Sequence, residues 1–436
     1  YRTHNCGELR ISDAGKEVRL AGFVQTIRNL GKMVFLDLRD ENGITQIVVS
    51  DDIDLTDVTK ECTLTVTGDV VERASKNDKI PTGEIEIVAK SITVLGKCKS
   101  ALPFEINVDG QTVREDLRLE YRFLDLRNSK NSLMFKVQSC LVEAMRDYLY
   151  KQGFDEIHTP KLIGAASESG SDVFEVKYFK GKAFLAQSPQ FYKQMAIAAG
   201  MEKVFEVGPV FRAENSNTNR HATEFTGFDL EFSYIDSYED VMELEEDILI
   251  AALTKVKEKY GNQIKNEYNM EVIVPTKPFP RIKLQDLYKE LNSRYGYEIP
   301  TTDVGDMNSE AEKLAARYAM EEYGHEFIFI TDFAKTKRAF YHMRENEVPQ
   351  GYDLIWRGTE ITTGAQREHR YDVLCRQAEE KGLGEDVKFY LEFFKYGCPP
   401  HGGFGLGVDR LTMLLLGTNT LKETMFLFRG PNRLTP

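Results

Sequence analysis

The chain has 436 residues, a formal net charge of −13, 42% hydrophobic and 29% charged residues. That length exceeds what one hydrophobic core serves and calls for two or three domains, with the composition of an ordinary soluble globular protein. The longest apolar runs, such as residues 248–253, fall far short of a bilayer span, and the opening residues do not read as a signal peptide. Cysteines at 6, 62, 98, 140, 375 and 398 form no CxxC pair. This argues against a zinc site or a disulfide framework and fits a reducing cytoplasm. The acidic total does not exclude a nucleic acid, because a local basic track suffices. Arg114, Arg118, Arg122, Arg127 and Lys130 supply a candidate, and a solvated charged connector explains them equally well.

Residues 18–25, 33–38, 44–49, 62–71 and 84–94 alternate or cluster β-branched residues between turn formers such as Asn42-Gly43, and read as five strands. Five strands in so short a stretch suggest a small closed barrel; an OB-fold leads, and an SH3-like barrel fits almost as well. The reading places a barrel domain at 1–103, a basic hinge at 104–130 and a second domain at 131–436. From Ser132 the period becomes helical, with Leu133, Val137, Cys140, Leu141, Ala144 and Met145 on one face up to Gly153. Further strands are expected at 154–158, 183–186, 203–211, 226–234, 326–331, 339–342 and 351–361, and long helices at 238–260 and 302–322. Strands cluster around helical stretches rather than alternating with them, so the class is α+β with a mainly antiparallel sheet flanked by helices.

Two segments carry candidate chemistry. Val210-Phe211-Arg212-Ala213-Glu214 and Arg220-His221-Ala222-Thr223-Glu224-Phe225 read as a strand, a polar loop and a returning strand that aim Arg212, Arg220 and His221 into one space. Arginine suits phosphate because its planar fork donates paired hydrogen bonds and stays charged. Near the end, Gly402-Gly403-Phe404-Gly405-Leu406-Gly407-Val408-Asp409-Arg410 leads into an apolar helix. No GxxxxGK[ST] phosphate loop is present. In Asp353-Leu354-Ile355-Trp356-Arg357-Gly358-Thr359-Glu360, a two-residue turn at 357–358 pairs Ile355 with Glu360 and puts Asp353 on the same face. Two such carboxylates suit a hard cation beside phosphates; one carboxylate ion-paired with an arginine is the alternative. In that simple hairpin Thr363 faces the other way.

The FRAEN…RHATEF and GFGLGVDR segments resemble motifs 2 and 3 of the class II aminoacyl-tRNA synthetases, and the segment Gly153-Phe154-Asp155-Glu156-Ile157-His158-Thr159-Pro160 resembles motif 1. With a barrel in front, the resemblance covers essentially the whole chain and points to the aspartyl, asparaginyl and lysyl subgroup. It implies an N-terminal OB-fold that binds the anticodon and a class II catalytic domain that uses ATP and Mg2+. Arg212 would neutralise the α-phosphate, Glu214 would read the adenine, and Phe225 and Arg410 would sandwich its ring, with Gly407 at the same site. Arg220 and His221 would hold the pyrophosphate; Asp353, Glu360 and Thr363 would hold the metal. The subgroup also implies a homodimer formed through motif 1, with Pro160 at its end, a cytoplasmic location and no membrane partner.

Gln187-Ser188-Pro189-Gln190-Phe191-Tyr192-Lys193-Gln194 and Gly364-Ala365-Gln366-Arg367 look like signatures of the aspartyl enzymes, the second of archaeal type, whereas the first hundred residues are nearer bacterial ones. The resemblance assigns L-aspartate to Glu168, Gln190, Lys193, Thr363 and Arg367, and the anticodon of tRNA(Asp) to Arg28, Phe35, Gln46, Arg73 and Glu86. Buried cations would favour a carboxylate over an amide, whose NH2 would meet donors without an acceptor. Gln25 stands where relatives carry residues bearing on anticodon choice, which leaves charging of tRNA(Asn) open. His401 reads as a structural or a functional histidine. The rival readings are an asparaginyl-tRNA synthetase, a synthetase-like enzyme that passes aspartyl-adenylate to ammonia, and a non-catalytic RNA-binding paralogue.

Overall fold

Period-two alternation closes the first hundred residues on themselves. In the computed structural model, which describes residues 1–31, 33–107, 112–165, 173–215 and 218–436, strands Glu17–Asn29, Met33–Asp40, Gly43–Ser50, Thr63–Glu72 and Ile85–Gly96 form a closed barrel. The third and fifth strands pair in parallel and the other neighbours antiparallel, which is the OB-fold arrangement. Leu20, Val24, Leu36, Leu38, Ile47, Val49, Leu64 and Val66 fill the interior with no exposed surface. One irregularity matters later: the first strand bulges between Val24 and Thr26, so Gln25 has no partner in the second strand.

The chain divides into two compact units, Tyr1–Glu115 with Phe123–Ser129, and Asp116–Arg122 with Lys130–Pro436. In the second, eight strands among the described residues make one mixed sheet, in the order Arg281–Lys283, Phe327–Thr331, Gly351–Trp356, Thr359–Gln366, His401–Gly407, Glu224–Ser233, Lys203–Phe211 and Asp155–Glu156. All pairings are antiparallel except those at the two edges. Helices Ser129–Lys151 and Tyr238–Tyr268 cover one face, and their apolar sides meet Phe228, Leu230, Leu354, Trp356 and Phe404 in the largest core. Ser237 starts the longer helix: its hydroxyl accepts from the Glu239 amide while Asp240 accepts from the Ser237 amide. The other face is left open over the central strands.

Four expectations need correcting. The helix expected from 302 begins at Ser309, because the Asn308 side chain caps the amides of Glu310 and Ala311. Residues 339–342 form no strand; Phe340 and Tyr341 pack into an aromatic cluster with Phe191 and Tyr390, and His342 makes a single bridge to Arg367. The expected hinge holds two short helices, Glu115–Glu120 and Arg122–Asp125. Three residues of its basic track are engaged by other parts of the protein. Arg118 is buried 3.0 Å from Glu423, Arg122 is buried against the carbonyls of Glu423, Met425 and Phe426, and Arg127 pairs with Glu61 at 3.0 Å.

Candidate active site

Strand alternation builds the floor of a cleft of about 400 Å³. Along Glu224–Ser233, Phe228 and Leu230 enter the core, so Phe225, Gly227 and Asp229 face the cleft. Arg212 follows Lys203–Phe211, where its amide donates to the Thr223 carbonyl at 2.9 Å and its guanidinium lies 5.3 Å from the Phe225 ring centre. Its Nε is buried without a hydrogen-bond partner among the described residues. A buried donor left in that state costs stability unless a ligand answers it. Arg220, His221, Glu214, Gly407 and Arg410 join the same lining. Arg220 reaches Glu312 at 3.3 Å, His221 Nε2 lies 3.8 Å from Glu214, and Arg410 donates to the Glu360 carbonyl at 2.6 Å. Burial raises the Glu312 carboxyl, which accepts from the Glu360 amide.

The hairpin turns at Arg357 and Gly358, both with positive φ, and Ile355 does pair with Glu360. Arg357 is held there by Glu326 and the Leu414 carbonyl. The simple hairpin fails one residue further on. A bulge at Ile361 pairs Leu354 with Thr362 and Asp353 with Thr363, which turns Thr363 to the carboxylate side. Thr363 Oγ1 lies 2.9 Å from both Asp353 Oδ1 and Glu360 Oε1. Asp353 is also gripped by both terminal nitrogens of Arg338, at 2.8 and 2.6 Å, so the ion-paired alternative holds for this carboxylate. Burial, then the Asp353 charge, pushes the Glu360 carboxyl up to about 7. Among the described residues no three His, Cys, Asp or Glu side chains cluster as a metal site. Glu360 and Thr363, with Asp353 beside them, still offer oxygen ligands that suit a cation arriving with most of its own oxygen ligands on a polyphosphate.

Beneath the cleft lies a charge-balanced quartet. Lys193 Nζ is 3.2 Å from Asp229 Oδ1 and 3.3 Å from Glu231 Oε2, and Arg367 Nε is 3.0 Å from Glu231 Oε1. Burial would raise Glu231, but Arg367 and Lys193 hold it below the ordinary range; burial leaves Asp229 raised despite Lys193. The glycine-rich strand has a clear purpose here. A Cβ on Gly405 would meet Asp229 Oδ1 at 2.9 Å, and one on Gly403 would meet Glu231 Oε2 at 2.5 Å. Gln190, Asp229, Thr363 and Arg367 line the cleft; Lys193 does not, its ammonium being turned to Asp229, Glu231 and the carbonyls of Leu230 and Phe404.

His401 is fully buried behind Gln194. The Gln194 oxygen accepts from Gln190 and Tyr390, so its NH2 donates to His401 Nε2, and His401 Nδ1 donates to the Pro399 carbonyl. Burial lowers this imidazole to about 4. It is a satisfied neutral histidine. Glu168 lies outside the described residues. Asp229, Glu231, Arg338 and Tyr341 were missed by sequence reasoning, although Asp229 and Glu231 alternate on a strand whose other face is apolar, and that pattern was the available signal.

In the barrel unit, Gln46 is a hub. Its oxygen accepts from Arg28 at 2.9 Å and Arg73 at 2.7 Å, and its nitrogen donates to Glu86 at 2.7 Å. Phe35 pairs with Arg28 across the first two strands and is partly exposed. Gln25 does not join this hub; its oxygen accepts from Arg39, which pairs with buried Glu61.

Comparison with known proteins places these two sites in context. Residues 114–429 match a family described as tRNA synthetases class II (D, K and N), and residues 18–95 match an OB-fold nucleic acid binding domain. The chain is 40% identical to the aspartate--tRNA(Asp) ligase of Pyrococcus abyssi, with all of both chains covered. It is 41% identical to the aspartate--tRNA(Asp/Asn) ligase of Methanopyrus kandleri, over 97% of this chain and 96% of the other. Among solved structures, asparaginyl-tRNA synthetase from Pyrococcus horikoshii superposes with a TM-score of 0.88 at 32% identity over 99% of each chain. The aspartyl tRNA synthetase from Entamoeba histolytica gives 0.86 at 32% identity, over 98% of this chain and 91% of that one.

Proposed function

The chain belongs to the class II tRNA synthetases of the aspartyl, lysyl and asparaginyl group, and from that premise we propose how its residues divide the work of an aspartate--tRNA ligase. The enzyme activates L-aspartate with ATP and transfers it to the 3′ end of tRNA(Asp). The observation that carries the site reading is Arg212: a buried guanidinium nitrogen without a partner among the described residues, beside an aromatic face, in a cleft. Arg212 would take the α-phosphate as the aspartate α-carboxylate attacks, Phe225 and Arg410 would hold the adenine ring, and Glu214 would read its amino group. Arg220 and His221 would take the pyrophosphate. Catalysis of this kind comes from placing reactants and stabilising charge that develops in the transition state. Glu360, with Thr363 and Asp353, would hold Mg2+ brought by ATP; bound there, the ion would offset phosphate charge.

The Lys193–Asp229 pair suggests how aspartate is chosen. The substrate ammonium would draw Asp229, which faces the cleft beside Gln190, and the side-chain carboxylate would take Arg367 and the ammonium of Lys193 thus released. Asparagine would bring an NH2 to the same donors. An asparaginyl or purely RNA-binding reading is disfavoured by the aspartate ligases matched at 40 and 41% identity along the chain. The Gln46 hub with Phe35 would bind anticodon bases, which proteins take by stacking and edge hydrogen bonds. Among the described residues no helix is long and apolar enough to cross a membrane; a cytoplasmic location and a homodimer through 153–160 complete the proposal.

Charging of tRNA(Asp) and tRNA(Asn) transcripts with labelled aspartate, side by side, tests it. Aspartate on tRNA(Asp) is the expected result, and the tRNA(Asn) lane separates a discriminating enzyme from one that serves both. Transcripts that a reference enzyme charges and this one does not would overturn the assignment.

A further inference from the structure

Away from the cleft, strands Glu175–Tyr178 and Gly181–Leu185 form a hairpin that turns at Phe179 and Lys180. Phe179 is 83% exposed and Tyr178 48% exposed, and their rings meet edge to face at 4.8 Å. Phe179 has φ +51°, a conformation that suits glycine and is disfavoured for an aromatic residue. A large apolar ring thus sits in water at the turn position least suited to it. Folding does not account for that placement, and strained, exposed residues concentrate where something is bound.

The charges around the tip narrow the chemistry. Lys177 and Lys182 are paired directly across the hairpin, an unfavourable like-charge pair, and Lys180 is exposed at the turn. Glu175 answers Lys182 at 2.9 Å. Three lysines within six residues, interleaved with two exposed aromatic rings, stand out in a chain of net charge −13. Cations for phosphates and rings for unpaired bases are what single-stranded nucleic acid requires. Two residues beyond the end of the second strand come Gln187 and Ser188, which line the cleft. At about 3.3 Å per residue the turn is roughly 23 Å of extended chain from Gln187.

We propose that this hairpin tip binds the unpaired 3′-terminal bases of the tRNA on their way to the cleft, with Phe179 and Tyr178 stacking on bases and Lys177, Lys180 and Lys182 on phosphates. The proposal rests on the synthetase reading above. The test uses Phe179→Gly with Tyr178→Ala, in which glycine adopts the turn without strain, and separately Lys177→Glu with Lys180→Glu. Both are assayed for aspartate-dependent exchange of pyrophosphate into ATP, for the tRNA KM in aminoacylation, and for binding of transcripts with and without their unpaired 3′ nucleotides. Exchange should be unchanged and the tRNA KM should rise at least about fivefold, the lower end for one lost stack. The charge variant should also flatten the salt dependence of binding. The binding defect should vanish on the truncated transcript. An unchanged tRNA KM in both variants, or a defect that persists on the truncated transcript, overturns the proposal while leaving the synthetase reading intact. Loss of self-association with normal tRNA kinetics does the same and makes the tip a protein contact. A wild-type chain without exchange activity overturns both.

Discussion

Thr363 and Glu360 lie three residues apart on one strand, yet their side chains meet at 2.9 Å on the same face. The bulge at Ile361 makes this possible, and it brings Asp353 to the same hydroxyl. One hydroxyl proton serves one carboxylate. The second contact is complete when Glu360 carries a proton of its own, in keeping with a carboxyl pushed up to about 7 by burial and by Asp353.

Thr363→Val removes that hydroxyl at nearly constant volume. The expected result is roughly a tenfold loss in aspartate-dependent pyrophosphate exchange, from a buried hydrogen bond worth about 1–3 kcal/mol to charged groups. The Mg2+ concentration for half-maximal rate should rise. An unchanged Mg2+ titration would remove Thr363 from the proposed metal site.

Lys193→Gln leaves Asp229 and Glu231 short of a cation in a fully buried place. The expected cost is about 3 kcal/mol of stability, with a higher KM for aspartate and little change in the KM for ATP. Thermal melting and exchange kinetics check the two halves. A variant with normal aspartate KM would confine Lys193 to a structural role.

Gln46→Ala breaks three charge-assisted hydrogen bonds at once. The expected outcome is an increased tRNA KM with pyrophosphate exchange unaffected, because exchange needs no tRNA. Equal losses in both assays would argue that the barrel's hub serves folding rather than the anticodon.

Glu245 supplies the pH prediction. It is fully buried on the Tyr238–Tyr268 helix, accepts from the Tyr352 hydroxyl at 2.6 Å, and is pushed by burial to about 8 from 4.5. The folded state therefore binds this proton where the unfolded chain has released it. Its effect on stability is neutral below about pH 4.5, worsens by about 1.4 kcal/mol per unit as pH rises, and levels off above about 8. Glu245→Gln should show a melting-temperature advantage that grows between those limits. A pH-independent difference would show that Glu245 is ionised in the folded protein.

The sequence was most legible where period alone decides. The strand Lys203–Phe211 falls where it was expected, and the barrel strands differ from expectation only in their ends, by four residues at most. Features set by a single side chain or a single inserted residue were opaque. Nothing local to Ile361 announces a bulge, so the orientation of Thr363 had to be seen. The Asn308 cap displaced a helix start by seven residues, since helical period continued into a segment that turns instead. Arg338 lies just ahead of a stretch that read as a strand, and Asp229 was overshadowed by Arg212, Arg220 and His221 in the segments before it.

The two short helices Glu115–Glu120 and Arg122–Asp125 carry a practical lesson for anyone dissecting this enzyme. Arg118 and Arg122 precede the long helix, yet they neutralise Glu423 and occupy the carbonyls of Glu423, Met425 and Phe426. A fragment begun at residue 131 would shed both arginines and strand those acceptors at the far end of the polypeptide. A cut ahead of Asp116 keeps both arginines with those acceptors but parts Phe123–Ser129 from the unit it packs with, including the Arg127–Glu61 pair.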